Sequence, residues 1–218
     1  MGKKQALRKE PRQERGQRRI EKILNAAERV FAKVGYEAAT TNAIAEAART
    51  SIGSIYQFFP HKEAILQAVA DRFLGRLRAL HEDLFDHQRL PEDLEECYER
   101  IIRTLADFHT AHPAFQALFF GSATSGHLAA ANELLERECI GRVEQLFAER
   151  MPWMSTADRR LYATINVSAT KALLPLSESG DAAFRERVLT EIKRLMLGHM
   201  LQIVAEQAPS EPAQPRIP

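Results

Sequence analysis

Residues 41–62, "TNAIAEAARTSIGSIYQFFPHK", carry groups suited to gripping a polyanion. The hydroxyls of Thr41, Ser51, Ser54 and Tyr56 can donate to phosphate oxygens without fixing a charge on the surface. Gly53 and Ser54 are small enough to let a sugar-phosphate backbone and base edges come close. Lys62 adds a cation in what reads as the first turn of a long helix. The composition of "SIGSIYQFF" is otherwise poor for a helix, with a glycine, two serines, two β-branched isoleucines and three aromatics in nine residues. Its flanks, "TTNAIAEAART" and "PHKEAILQAVADRF", read as helices. A recognition helix explains that combination, because it must present small and polar groups outward while Ile55 and one of Phe58 or Phe59 face inward toward Ile44 and Phe31.

Such a helix needs elements to hold it. Ile20, Ile23, Leu24, Ala27 and Phe31 recur at the spacing of one apolar helical face, and Gly35 ends that helix. Thr41 is placed to cap a short second helix with Ile44, Ala45 and Ala48 inside. "ARTS" is a tight break, Ser51 caps a third short helix ending near Phe58, and Pro60 closes it. Two short helices joined by a tight turn after a basic helix make a helix-turn-helix, whose second helix enters the major groove. A plain three-helix core with caps has the same spacing.

Charge points the same way. Residues 1–62 hold thirteen Lys/Arg against six Glu, a balance of +7, in a chain of net charge +1, so the remaining residues carry −6. A basic module beside an acidic one suggests a polyanionic partner for the first. A solvated basic tail accounts for it equally, since eight of the thirteen precede Ile20.

The run "ILNAAERVFAKVGYEAATTNAIAEAARTSIGSIYQFFPHKEAIL" (23–66) closely resembles the N-terminal signature of the tetracycline-repressor (TetR/AcrR) family of bacterial transcriptional regulators. The matching blocks are "ILNAAERVFAKVGY", "TTNAIAEAA", "SIGSIYQFF" and "HKEAIL". They are ordered and correctly spaced, and they cover the first third of the chain. The resemblance implies an all-α homodimer with an N-terminal three-helix DNA-binding domain. A C-terminal helical domain would bind a small molecule and dimerise, with ligand binding releasing DNA. It implies backbone contacts from Thr41, Ser51, Ser54, Tyr56 and Lys62, and places Thr50, Ile52, Gly53 and Gln57 nearest the bases. One departure stands out. The family's turn reads Ala-Gly-Val-Ser, and here Arg49 stands where the glycine would be. Either the turn geometry differs or Arg49 takes a strained conformation, and Arg49 becomes a further candidate DNA contact.

The rest of the chain is helical by periodicity. Leu66, Val69, Phe73, Leu77, Leu80 and Leu84 mark a long helix that would link the two domains. Amphipathic segments follow after Pro91, from Pro113, across 127–151, and over 157–179 and 181–206, with Pro175 placed to kink the penultimate one. No stretch alternates at period two, so the expected class is all-α with about nine helices. The expected division is a flexible basic arm at 1–15, with Arg12, Arg15, Arg18 and Arg19 reaching along DNA. The DNA-binding domain would span 16–62, the ligand-binding and dimerisation domain 63–207, and a disordered tail 208–218.

Aromatic and aliphatic residues in the acidic part suffice to line a cavity for an apolar or amphipathic effector: Ile101, Leu105, Phe108, Phe115, Phe119 and Phe120, with His109, His112, Asn166, Thr170 and Lys171 as groups that could orient it. Plain core is the competing reading for that stripe. "HTAHP" pairs two histidines but offers no third ligand, so neither metal nor cofactor is expected. Two helices apolar on more than one face, within 157–178 and 182–205, predict an isologous four-helix dimer interface. No nucleophile elbow, phosphate loop or HExxH motif argues for an enzyme. Two distant cysteines and the lack of a signal-like or bilayer-length apolar run predict a cytoplasmic protein, and the resemblance implies a bacterial one acting at the nucleoid. The alternative is a helical module that binds nucleic acid without sequence preference and without an inducer.

Overall fold

A computed structural model describes residues 6–86, 88–119 and 126–208, with the side chains of 6–13, 126–128 and 131 outside that description. Every regular element among them is a helix: α1 (Ala6–Ala38), α2 (Thr41–Ala47), α3 (Ile52–Tyr56), α4 (Lys62–Leu84), α5 (Leu94–Ala111), α6 (Pro113–Phe119), α7 (Gly126–Arg150), α8 (Thr156–Leu173), a 3-10 helix (Leu174–Glu178) and α9 (Ala182–Gln207). The all-α class and, among the described residues, the nine α-helices are as expected. The expected disordered tail falls almost wholly outside the described residues, and so do residues 1–5 of the expected arm.

The chain divides into two compact units. The first comprises residues 1–77 and 112–133, the second 78–111 and 134–218. The first therefore takes in more than the expected 16–62. Two causes are visible. Helix α1 begins at Ala6, ten residues before Gly16, because Lys, Arg, Gln and Glu are good helix formers there. Helix α6 packs on α1, burying Ala114, Phe115, Leu118 and Phe119. Phe115 meets Phe73 of α4 edge-on at 5.8 Å. Ile23, Leu24, Ala27 and Phe31 of α1, with Ile44, Ile55, Leu66, Val69 and Phe73, complete the buried set of this unit. Arg72 of α4 pins α1 through Glu21 (2.9 Å) and Glu28 (2.7 Å).

Gly35 interrupts α1 with φ 72°, ψ 172°. That combination is open essentially to glycine alone, so the residue that ends the basic helix could hardly be another.

The second unit buries Tyr98, Ile102 and Ala106 of α5 against Ile140, Val143 and Phe147 of α7, Ala163 of α8, and Leu189, Ile192, Met196, Met200 and Ile203 of α9. Pro175, expected to kink one helix over 157–179, lies instead in the first turn of a 3-10 helix that takes over where α8 stops. On the outer edge a chain of charges ties α5 to α9. Lys193 bonds Glu95 and Glu99 (3.1 and 3.0 Å), and Arg103, paired with Glu99, reaches Glu186 at 3.0 Å.

Candidate nucleic-acid interface

The first unit builds its outward face from two short helices and a sharp turn. Thr40, one residue before the expected cap, closes the start of α2: its Oγ1 accepts from the Ala43 N–H at 3.1 Å. Either threonine of "TT" satisfies the sequence preference for an N-cap, and the chain uses the first. Thr41 is thus the first residue of α2, half-exposed, with its hydroxyl outside the cap. Ser51 caps α3 as expected, its Oγ accepting from the Ser54 N–H at 3.2 Å, which leaves its own O–H to donate elsewhere.

Helix α3 ends at Tyr56, two residues short of the expected limit, and Gln57 caps it. Ile55 is fully buried and Phe59, the inward member of the aromatic pair, is 7% exposed. The opposite side is open: Arg49, Ser51, Gly53 and Gln57 are exposed, Tyr56 is 52% exposed, and Thr50, Ile52 and Ser54 are half-buried. Arg49, Thr50, Ser51, Ile52, Gly53, Ser54, Tyr56 and Gln57, all expected near DNA, thus lie together on the turn and α3, while Ile55 and Phe59 are buried beneath.

The turn settles the Arg49 question. Arg49 has φ +48°, and it is the only non-glycine at positive φ among the described residues. Its N–H donates to Glu46 O (2.9 Å) and the Thr50 N–H to Ala45 O (3.0 Å). This paired closure is the Schellman end of a helix, in which the left-handed position ordinarily takes glycine. The turn geometry is therefore kept, and arginine bears the strain.

Lys62, expected as a phosphate cation, is engaged with the backbone of its own unit. Its ammonium donates to the carbonyls of Tyr36 (2.9 Å), Glu37 (3.2 Å) and Ala39 (3.1 Å), and lies 4.3 Å from the Tyr36 ring centre. Three donors meet three acceptors, so in this structure Lys62 clamps the segment after Gly35 to the start of α4. Sequence could not reveal this, because those carbonyls carry no residue signature. Arg29 behaves similarly, donating to Ala47 O at 3.2 Å. His61 is the cap of α4, its Nδ1 accepting from the Ala64 N–H at 3.1 Å. Of the arm arginines, Arg15, Arg18 and Arg19 lie on α1, with Arg18 3.6 Å from Glu14.

The candidate effector residues divide between the units. Phe115 and Phe119 belong to the first, their rings 4.7 Å apart, and His112 there meets Phe73 edge-on at 5.8 Å. Ile101, Leu105, Phe108, His109, Asn166, Thr170 and Lys171 belong to the second, and Phe120 lies outside the described residues. Asn166 is engaged within the core: its Oδ1 accepts from the buried Tyr98 hydroxyl at 2.7 Å and its Nδ2 donates to Tyr162 O at 2.8 Å. Burial pushes the Tyr98 phenol well up, which keeps it a donor. Lys171 is paired with Glu136 at 2.6 Å. Sequence could not single out Tyr98, whose partner lies 68 residues away.

Known proteins match both parts of the chain. The family description "Bacterial regulatory proteins, tetR family" fits residues 23–69, and "Tetracyclin repressor-like, C-terminal domain" fits residues 93–200. An uncharacterised HTH-type transcriptional regulator of Bacillus subtilis strain 168, YhgD, is 26% identical over 116 residues; these span 53% of this chain and 59% of that relative. Two solved structures share the fold. The fatty acid degradation regulator FadR from Bacillus halodurans has a TM-score of 0.61 at 18% identity, with 83% of this chain and 95% of that one covered. A complex of SmeT with triclosan has a TM-score of 0.64 at 20% identity, with 85% and 90% covered. With an N-terminal and a C-terminal family description matched in order on a helix-turn-helix of this geometry, the chain belongs to the tetracycline-repressor (TetR) family of bacterial regulatory proteins.

Proposed function

We propose that this chain is a ligand-responsive transcriptional regulator, a repressor that acts as a homodimer on a palindromic operator. The observation that carries the reading is the face of α3 and its turn: Ser51, Gly53, Tyr56 and Gln57 open to solvent above a buried Ile55 and Phe59. A face of small, hydroxyl and amide groups suits phosphates and base edges.

Dimerisation is favoured by the second unit. Leu161, Leu176, Phe184, Leu195 and Leu201, each more than 40% exposed, all lie within the stretches 157–178 and 182–205. Leu173, Leu176, Phe184, Val188 and Leu195 border a groove of about 420 Å³ there. A second copy laid on this face would hide the apolar surface, and an operator read by two α3 helices would have half-sites about one DNA turn, roughly 34 Å, apart. The effector would be a small apolar or amphipathic compound, in keeping with triclosan on SmeT. It would favour the state with mis-spaced recognition helices and so shift the population away from DNA. Ile101, Leu105 and Phe108 on α5 are the pocket candidates. The protein would work in the cytoplasm; no helix among the described residues is long and apolar enough to cross a membrane.

The test is anisotropy titration of labelled genomic fragments with and without excess unlabelled bulk DNA, followed by a panel of apolar compounds. Retention of particular fragments under competition, and their release by one compound, is expected. Loss of every fragment to the competitor would favour charge-driven binding without sequence preference.

A further inference from the structure

Within α2, the turn and α3, Arg49 is the sole Lys or Arg. The nearby Arg29 and Lys62 are turned onto backbone carbonyls, at 3.2 Å and at 2.9 to 3.2 Å. Arg49 instead is exposed, and its guanidinium makes no hydrogen bond or ion pair to a described residue. It also occupies a backbone conformation, φ +48°, that an L-residue rarely adopts and that glycine would take without strain. The two hydrogen bonds that close the turn are made by backbone groups alone and do not use the arginine side chain. A strained residue with an unused charge, beside the recognition helix, points to function in place of stability.

We propose that Arg49 is a phosphate-binding residue, and that the turn keeps a strained conformation because this presents a guanidinium to the phosphodiester backbone of duplex DNA beside the groove that α3 enters. The inference rests on the DNA-binding reading above. A guanidinium matches two phosphate oxygens with parallel N–H donors, and it releases a condensed counterion on binding. The contact carries no sequence information itself; it fixes the depth and register of α3. Lys62, held on its three carbonyls, does not supply this charge.

The test compares the full chain with Arg49→Gly, Arg49→Asn and Arg49→Lys. Gly and Asn both tolerate positive φ and both remove the charge, whereas Lys keeps the charge and the strain. For Gly and Asn, affinity for a selected duplex should fall on the order of tenfold. The slope of log affinity against log salt should become shallower by about 0.9 per half-site. The same slope change should appear on bulk duplex. Lys should retain most of the wild-type slope, and Gly should melt a few degrees above wild type. A Gly variant that melts higher but keeps wild-type affinity and slope overturns the phosphate role. A wild type that selects no duplex sinks the regulator reading instead, and the slope on bulk DNA still decides the fate of Arg49. A wild type that binds no duplex at all refutes both.

Discussion

Replacing Lys62 by methionine separates a structural clamp from a DNA contact. The ammonium makes three hydrogen bonds of 2.9, 3.2 and 3.1 Å and a cation–π contact at 4.3 Å. Bonds to a charged donor contribute roughly 1.5–3 kcal/mol each when fully dry, and an exposed cation–π contact about 0.5–1 kcal/mol. Lys62 is only half-buried and one bond is exposed, so water can hydrate the carbonyls it leaves. The net loss should be about 2 kcal/mol, equivalent to roughly 4–8 °C in melting temperature for a chain of this size. Urea and thermal unfolding measure the first effect, and salt titration of DNA binding measures the second. Lys62→Met should lose stability and leave the salt slope unchanged. Arginine should restore only part of the loss, since its planar fork cannot place three donors on converging carbonyls. Full stability with a slope shallower by about 0.9 per half-site would refute the clamp and return Lys62 to the phosphates.

Other perturbations test other joints. Gly35→Ala should destabilise by about 1–3 kcal/mol through backbone strain alone, because a Cβ there meets nothing within 4 Å; urea midpoints would report it. His81 is 5% exposed, and burial, followed by the nearby Arg142, lowers its pKa from 6.5 to about 4. The unfolded chain therefore binds the extra proton first, so the stability His81 contributes is full above about pH 6.5 and falls as pH drops toward 4. The expected loss at pH 5 is about 2 kcal/mol, and it should be absent in His81→Phe. Tyr98→Phe leaves the Asn166 carbonyl oxygen without its 2.7 Å donor and should cost about 1–3 kcal/mol in chemical unfolding. Leu195→Arg, at a residue 57% exposed, should leave folding intact by circular dichroism yet yield monomers in sedimentation, with weakened operator binding.

Periodicity and punctuation made the fold legible where the signal is local. The apolar stripe of α1, the stop at Gly35, the cap at Ser51 and the break at Pro175 are each written within a few residues of where they act. Resemblance added the geometry of the helix-turn-helix. What sequence could not show were the contacts that join distant segments. Lys62 reads as a surface cation until the carbonyls of Tyr36, Glu37 and Ala39 are brought around it, and Asn166 reads as a ligand anchor until Tyr98 arrives. That α6 packs on α1, burying Phe115 and Phe119, is likewise written in no local signal. Arg49 lies between these cases: its anomaly is visible in the sequence, but which of two resolutions the turn adopts is decided by φ +48°.

The most direct measurement is selection of duplex DNA from a random pool by the purified protein at about 0.15 M salt, where long-range charge attraction is screened. Recovery of a two-fold symmetric sequence, with half-sites about one helical turn apart, is the result expected of paired α3 helices. No enriched sequence, with binding that simply fades as salt rises, would contradict sequence reading by α3 and leave a basic helical module that holds any duplex.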